Sequence, residues 1–272
     1  LGRRAATFER HLDRLIAEVI PVADGSATRS PSDLLRTLTA LVMARDALRD
    51  GGKPIAPGLD DVVDRLGAGL RLLTHGDGGL AVFHGGREED AESVASIVAR
   101  AAKSTPASMP GFATLTQGRL RVIAETAGQP QQGVDAFASA LAIEVSIGKE
   151  RLFVNCGGPD GAESAWRTAT RATAAHTALI IDDRNQDCSA APSAQPDILR
   201  GEEGDNAWLE ITANGYSNAF GVRTTRRFHI AKDGHEVVGD ERIHPLGSAT
   251  PSDSPTTLCA RYHLHPKVSA SP

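Results

Sequence analysis

Arg167, Arg171 and His176 stand close together inside the stretch from Leu141 to Asp183, LAIEVSIGKERLFVNCGGPDGAESAWRTATRATAAHTALIIDD, and could together perform chemistry on an acidic ligand. Arginines four apart share one face of a helical turn. A guanidinium matches a carboxylate with two parallel hydrogen bonds. The alternative for Arg167 and Arg171 is an ion pair with Glu144, Asp182 or Asp183. His176 opens an apolar run, where an imidazole either lines a cleft as a proton carrier or serves as a hydrogen-bonded structural group. Tyr216, in ANGYSNAFG, follows a glycine turn; its phenol is an acid or base, or packs with its hydroxyl on backbone. His75 and Asp77 occupy a turn, HGDG, that either contacts substrate or simply reverses the chain. His263 and His265 alternate in RYHLHP, as a metal pair or as a structural feature without a third ligand in sequence.

Composition narrows the partners. Twenty-nine basic and 34 acidic side chains give a formal charge of -5 without a clustered Lys/Arg stripe, which argues against nucleic acid. Three cysteines, Cys156, Cys188 and Cys259, are widely spaced and fit neither a disulfide framework nor a C-x-x-C metal site. No run approaches the roughly 20 apolar residues of a membrane-spanning helix. The chain starts within a helical pattern and reads as a fragment.

The elements that must position these residues change character near residue 75. Before it, Leu12, Leu15, Ile16, Val19 and Ile20 form one apolar stripe. Leu34, Leu35, Leu38, Leu41, Val42 and Leu48 form a second, and Val62, Val63, Leu66, Leu70 and Leu73 a third. Three amphipathic helices are expected, with breaks marked by Gly25 and Pro31 and by Gly51, Gly52, Pro54 and Pro57. Beyond residue 75 the period shifts towards two, in runs at 119–126, 140–147, 151–156, 177–182, 207–213, 224–231 and 257–264. Tight connections are expected at Ile147 to Glu150 and Lys232 to Gly234. A short helix is expected over Glu88 to Lys103 and a surface loop over Cys188 to Asp205. The expected class is α+β: a helical, toroid-like segment over residues 1–75, followed over residues 76–272 by an antiparallel β-sandwich.

The fragments FERHLDRLIAEVIP with DGSATRSPSDLL, LLTHGDGGLAVFHGG, the stretch quoted above, NGYSNAFGVRTTRRFHIAKDG and RYHLHPKV, taken in order, resemble the heparinase II/III-type polysaccharide lyases. The resemblance implies an α/α toroid joined to a β-sandwich, and β-elimination on a uronic-acid-containing polysaccharide in a bacterial periplasm or envelope. Such a reaction needs the sugar carboxylate neutralised, a base at the neighbouring carbon and an acid for the leaving oxygen. On that basis His176 and Tyr216 are expected as catalytic residues, and Arg167, Arg171, His75 and Asp77 as substrate-binding residues. Some relatives hold zinc. The ligand set is incomplete here, and no cofactor is expected.

Departures from the family pattern are specific. Where relatives carry alternating histidines, this chain has Asp135, Phe137 and Ser139; Asn155 stands in place of a metal-binding acid; and Ser26 falls where many have histidine, although Arg29 and Pro31 remain. A non-catalytic protein that binds acidic glycans or scaffolds the envelope is therefore a second reading. A hydrolase using two carboxylates, with Glu144 and Asp182 as the pair to test, is a third.

Overall fold

The computed structural model describes residues 29–101, 108–126, 137–159, 164–187, 197–246 and 257–271, with isolated positions among the first 28. The stripe residues Leu12, Leu15, Ile16, Val19 and Ile20, together with Ser26, Asp135 and Cys188, lie outside the described residues.

Helix α1 (Pro31–Asp50) begins where the sequence signals a start. Ser30 accepts a hydrogen bond from the Asp33 amide, and Pro31 supplies a preset φ at the first position. Helix α2 (Leu59–Leu72) buries Val62, Val63, Leu66 and Leu70 of the predicted stripe together with Leu59, and Leu73, the last residue of that stripe, is buried just past its end. Helix α3 (Ala91–Val98) is capped by Asp90, which accepts from the Ser93 amide at 2.8 Å, and is shorter than the expected Glu88 to Lys103.

A six-stranded antiparallel sheet follows in the order β1-β2-β3-β4-β5-β12. Its strands are β1 (Ser108–Met109), β2 (Phe112–Gln117), β3 (Leu120–Glu125), β4 (Ile143–Ile147), β5 (Glu150–Val154) and β12 (His263–Leu264). Its two faces bury different partners because successive strand residues point to opposite sides. Phe112 and Ile123 join Leu38, Leu66 and Leu70 of the helices in one core. Ala113, Val122, Ala124, Ile143 and Val145 join Leu209, Ile211, Phe228 and Ile230 in another. That second core is shared with a four-stranded antiparallel sheet in the order β10-β9-β8-β7, built from β7 (Asp197–Glu203), β8 (Asn206–Tyr216), β9 (Val222–Ile230) and β10 (Val237–Pro245). The six-stranded sheet is thus a middle layer, which explains why β3 and β4 are buried almost throughout rather than at alternate residues.

Helix α4 (Ser164–Arg171) and a 3₁₀ turn (Thr173–Ala175) lead into β6 (Leu179–Ile181), which pairs with β11 (Leu258–Ala260). A short helix, α5 (Ser217–Phe220), links β8 to β9. Among the described residues no helix is long and apolar enough to cross a membrane.

Three expectations need correction. The segment Cys188 to Asp205 is not wholly a loop: Asp197–Glu203 forms edge strand β7, whose polar DILRGEE sequence is held by its ladder to β8 rather than by burial. The run 257–264 is two short strands, because the chain leaves β6 after Ala260 and joins β5 at His263. Strands β2 and β10 were not expected; β10 alternates only partly buried with exposed residues and carries almost no apolar signal.

Candidate functional site

The chemistry-bearing residues fall into five settings. The first gathers around Phe137. His84 lies at the turn after the buried run Leu80 to Phe83 and adopts φ 47, and Gly85 follows at φ +74. Two successive left-handed residues are uncommon, and a Cβ on Gly85 would meet the Phe137 ring at 2.9 Å. The Phe137 ring packs edge-on between His84, at 5.8 Å between centroids, and His176, at 6.1 Å. Beneath them Glu125, the last residue of β3, lies 3.0 Å from His84 Nε2 and 3.4 Å from Arg29 Nη1. Both side chains of the Arg29–Glu125 pair are almost wholly buried. Burial alone would push the Glu125 carboxyl up, but His84, Arg29 and a hydrogen bond from Ser139 outweigh it and hold the group below the ordinary carboxylate range. Glu125 is thus an anion clamped between cationic and polar neighbours.

His176 belongs to the same environment. It is 2% exposed, and its Nδ1 lies 2.9 Å from the Ala172 carbonyl oxygen, so Nδ1 carries the proton. Burial lowers its pKa to about 4, against weaker opposition from Glu125 and from the Ala172 contact. An imidazole so shifted is neutral at pH 7 but a weak base.

The second environment holds His75. Its Nε2 meets Glu144 Oε2 at 2.9 Å and its Nδ1 meets Ser146 Oγ at 2.8 Å. The order serine, histidine, carboxylate resembles a nucleophile relay. All three are buried, however, and Glu144 Oε1 also accepts from the Val82 amide and from the Asn155 amide and side chain. The network ties the 74–82 segment to β4 and β5. Glu144 is thus fully engaged inside the fold, and Asp182 Oδ1 accepts from the Thr257 amide elsewhere.

Asp77 forms the third environment. It accepts from Arg151 Nε at 2.7 Å and Nη2 at 3.1 Å and from the Gly79 amide. Partial burial would raise its pKa, but these bonds dominate and lower it. Glu88 stands 4.0 Å from the same arginine and 3.0 Å from His265 Nε2. His263 Nε2 turns instead to the Ala174 carbonyl, so the alternating pair does not converge on one point.

Arg167 and Arg171 make up the fourth, on α4. Their helical spacing is as expected; Arg167 is exposed and Arg171 half-buried. Tyr216 is remote in kind from all of these. Its hydroxyl lies 3.2 Å from the Leu179 carbonyl, 3.0 Å from the Arg184 carbonyl and 3.3 Å from the Ile181 amide, and burial pushes its pKa up to about 12. A phenol so occupied holds β6 to the end of β8.

Thus the fold brings His176 to Phe137, His84, Glu125 and Arg29, and leaves Tyr216, His75, Asp77 and Arg167 in other settings. Sequence reasoning missed His84 and Glu125. The available signal was the placement of His84 before two glycines and of Glu125 at the end of an apolar run. Among the described residues no three His, Cys, Asp or Glu side chains converge to hold a metal ion. Asn155, where an acid is expected, uses Nδ2 on Glu144 and Oδ1 on the Thr177 amide.

The chain is 28% identical over 96% of its length to FtsZ-localized protein C of Caulobacter vibrioides, of which it spans 50%. Among solved structures it resembles a heparinase III with a TM-score of 0.64 at 13% identity, covering 85% of this chain and 41% of that one. It also resembles the heparan sulfate lyase HepC of Pedobacter heparinus, with a TM-score of 0.59 at 14% identity, covering 80% and 39%. Those likenesses concern the fold. Residues 99–271, well over half of the chain, match the profile described as Heparinase II/III-like, C-terminal, and the chain belongs to that family.

Proposed function

We propose that this chain is part of a protein that binds acidic polysaccharide at the bacterial cell envelope without cleaving it, a lyase-derived scaffold rather than a lyase. The observation that carries the reading is Phe137. Its ring fills the space between His84 and His176, where proton transfer would need a polar group and access for a sugar. Around it, Glu125 is already engaged by Arg29 and His84, and His176 is a weak base bonded to backbone. The β-elimination implied by the resemblance asks for a base in contact with substrate; the catalytic roles expected for His176 and Tyr216 are therefore not part of this reading. Arg167 and Arg171 are kept as contacts for a sugar carboxylate. The likeness to an FtsZ-localized protein supports a setting where FtsZ is found. In the whole protein, the helices before residue 75 are read as the end of a toroid, and the two sheets beyond it as a sandwich.

The test uses the whole protein with heparan sulfate and with alginate. Retention on the polymer without unsaturated, ultraviolet-absorbing products is expected. Products that absorb would restore the lyase reading, and saturated reducing ends would favour hydrolysis.

A further inference from the structure

On the outer side of α4, Trp166 is 62% exposed, and the side chains of Trp166 and Arg167 make no hydrogen bond, ion pair or ring contact with any described residue. Burying an indole usually contributes stability, so an indole left in water on a regular helix is a cost unless something covers it. Thr170 lies four residues after Trp166 and three after Arg167, so the three side chains form one triangular patch. Its hydroxyl lies 3.0 Å from the Trp166 carbonyl oxygen, which it meets as donor, and so is already used on the helix backbone. The helix, SAWRTATR, contains no acidic residue and ends on a second arginine. The other tryptophan, Trp208, is by contrast covered by the Arg227 guanidinium at 4.3 Å.

We infer that Trp166 and Arg167 form a surface subsite for one uronic acid residue of a glycan, the indole stacking on the apolar face of the sugar ring and the guanidinium pairing with its carboxylate. The inference rests on the acidic-glycan reading above and gives that binding a place. A planar aromatic beside a fork of N–H donors suits a ring that is apolar on one face and carries a carboxylate at its edge. Size favours a sugar over larger partners. Trp166 is the one large apolar residue of α4, too little for a protein interface or for the broad apolar face of a membrane-lying helix.

The experiment uses the whole protein, short alginate oligosaccharides and a neutral glucan of matched length. The emission of the wild type minus that of Trp166→Phe reports Trp166. Alginate oligosaccharide is expected to change Trp166 emission and the neutral glucan to leave it unchanged. Trp166→Ala and Arg167→Gln should each weaken binding about tenfold, the equivalent of ~1.4 kcal/mol. Arg167→Lys, which keeps the charge but not the fork, should weaken it less. Because both residues are exposed, unchanged thermal unfolding will show that the variants fold. Wild-type affinity in Trp166→Ala and Arg167→Gln overturns the subsite while leaving glycan binding in place. No retention of any uronate polymer by the wild type overturns the glycan reading and the subsite together. Emission that responds to anionic vesicles or an acidic peptide, but not to oligosaccharide, overturns the sugar as occupant.

Discussion

His176→Asn isolates the consequence of burying a neutral imidazole. The side chain is 2% exposed, and burial lowers its pKa from 6.5 to about 4. In the unfolded chain the group binds a proton as pH falls through 6.5; in the folded chain it does so only near 4. Between those values the unfolded state holds the extra proton, so this residue's contribution to stability is fully present above pH 6.5 and lost as pH falls towards 4. Each unit of the gap is worth about 1.4 kcal/mol. At pH 5 the loss relative to pH 7.5 comes to roughly 2 kcal/mol, most of what the group can contribute. Asparagine places an amide N–H near the position of Nδ1, so the bond to the Ala172 carbonyl has a replacement donor. The substitution lowers stability at every pH by leaving part of the ring's space empty. What matters is the slope. Urea unfolding at pH 7.5, 6.5, 5.5 and 5.0 should show wild type losing about 2 kcal/mol more than the variant across the range. Parallel pH profiles, or a His176 ring that titrates near 6.5 by NMR, would refute the reasoning and reopen His176 as an accessible base.

Two further outcomes follow from the same contacts. Glu125→Gln removes the anion between Arg29 and His84 and leaves a buried guanidinium uncompensated, so it should destabilise by about 3–5 kcal/mol in urea unfolding. The added change Arg29→Met should recover part of that loss; no recovery would mean that the pair is not coupled. Tyr216→Phe strips a hydroxyl that shares its one proton between two carbonyls and accepts from an amide, and should cost about 1–3 kcal/mol while leaving polymer retention unchanged; lost retention at full stability would return Tyr216 to the binding site.

The sequence alone determined what depends on local chemistry. The periodic leucines and valines of 34–48 and 59–72 specify helices because 3.6-residue spacing makes one apolar face, and Ser30 with Pro31 marks the start of α1. Short apolar runs did the same for β3, β4, β8 and β9, most of whose apolar residues meet in a shared core. That Phe137 cannot carry a proton and that Asn155 is an amide rather than an acid was equally plain, since these are matters of residue type. Strands β7 and β10 were illegible because edge strands are fixed by hydrogen bonds to a neighbour and need no apolar pattern. Only the tertiary structure decided what the polar residues do. Asp77 and Arg151 lie 74 positions apart and His75 and Glu144 lie 69 apart, yet each pair is in contact, and Glu125 gathers Arg29 and His84 from two other segments. A buried charge takes whichever partner the packing supplies, and that choice depends on the whole arrangement of layers rather than on any stretch of chain.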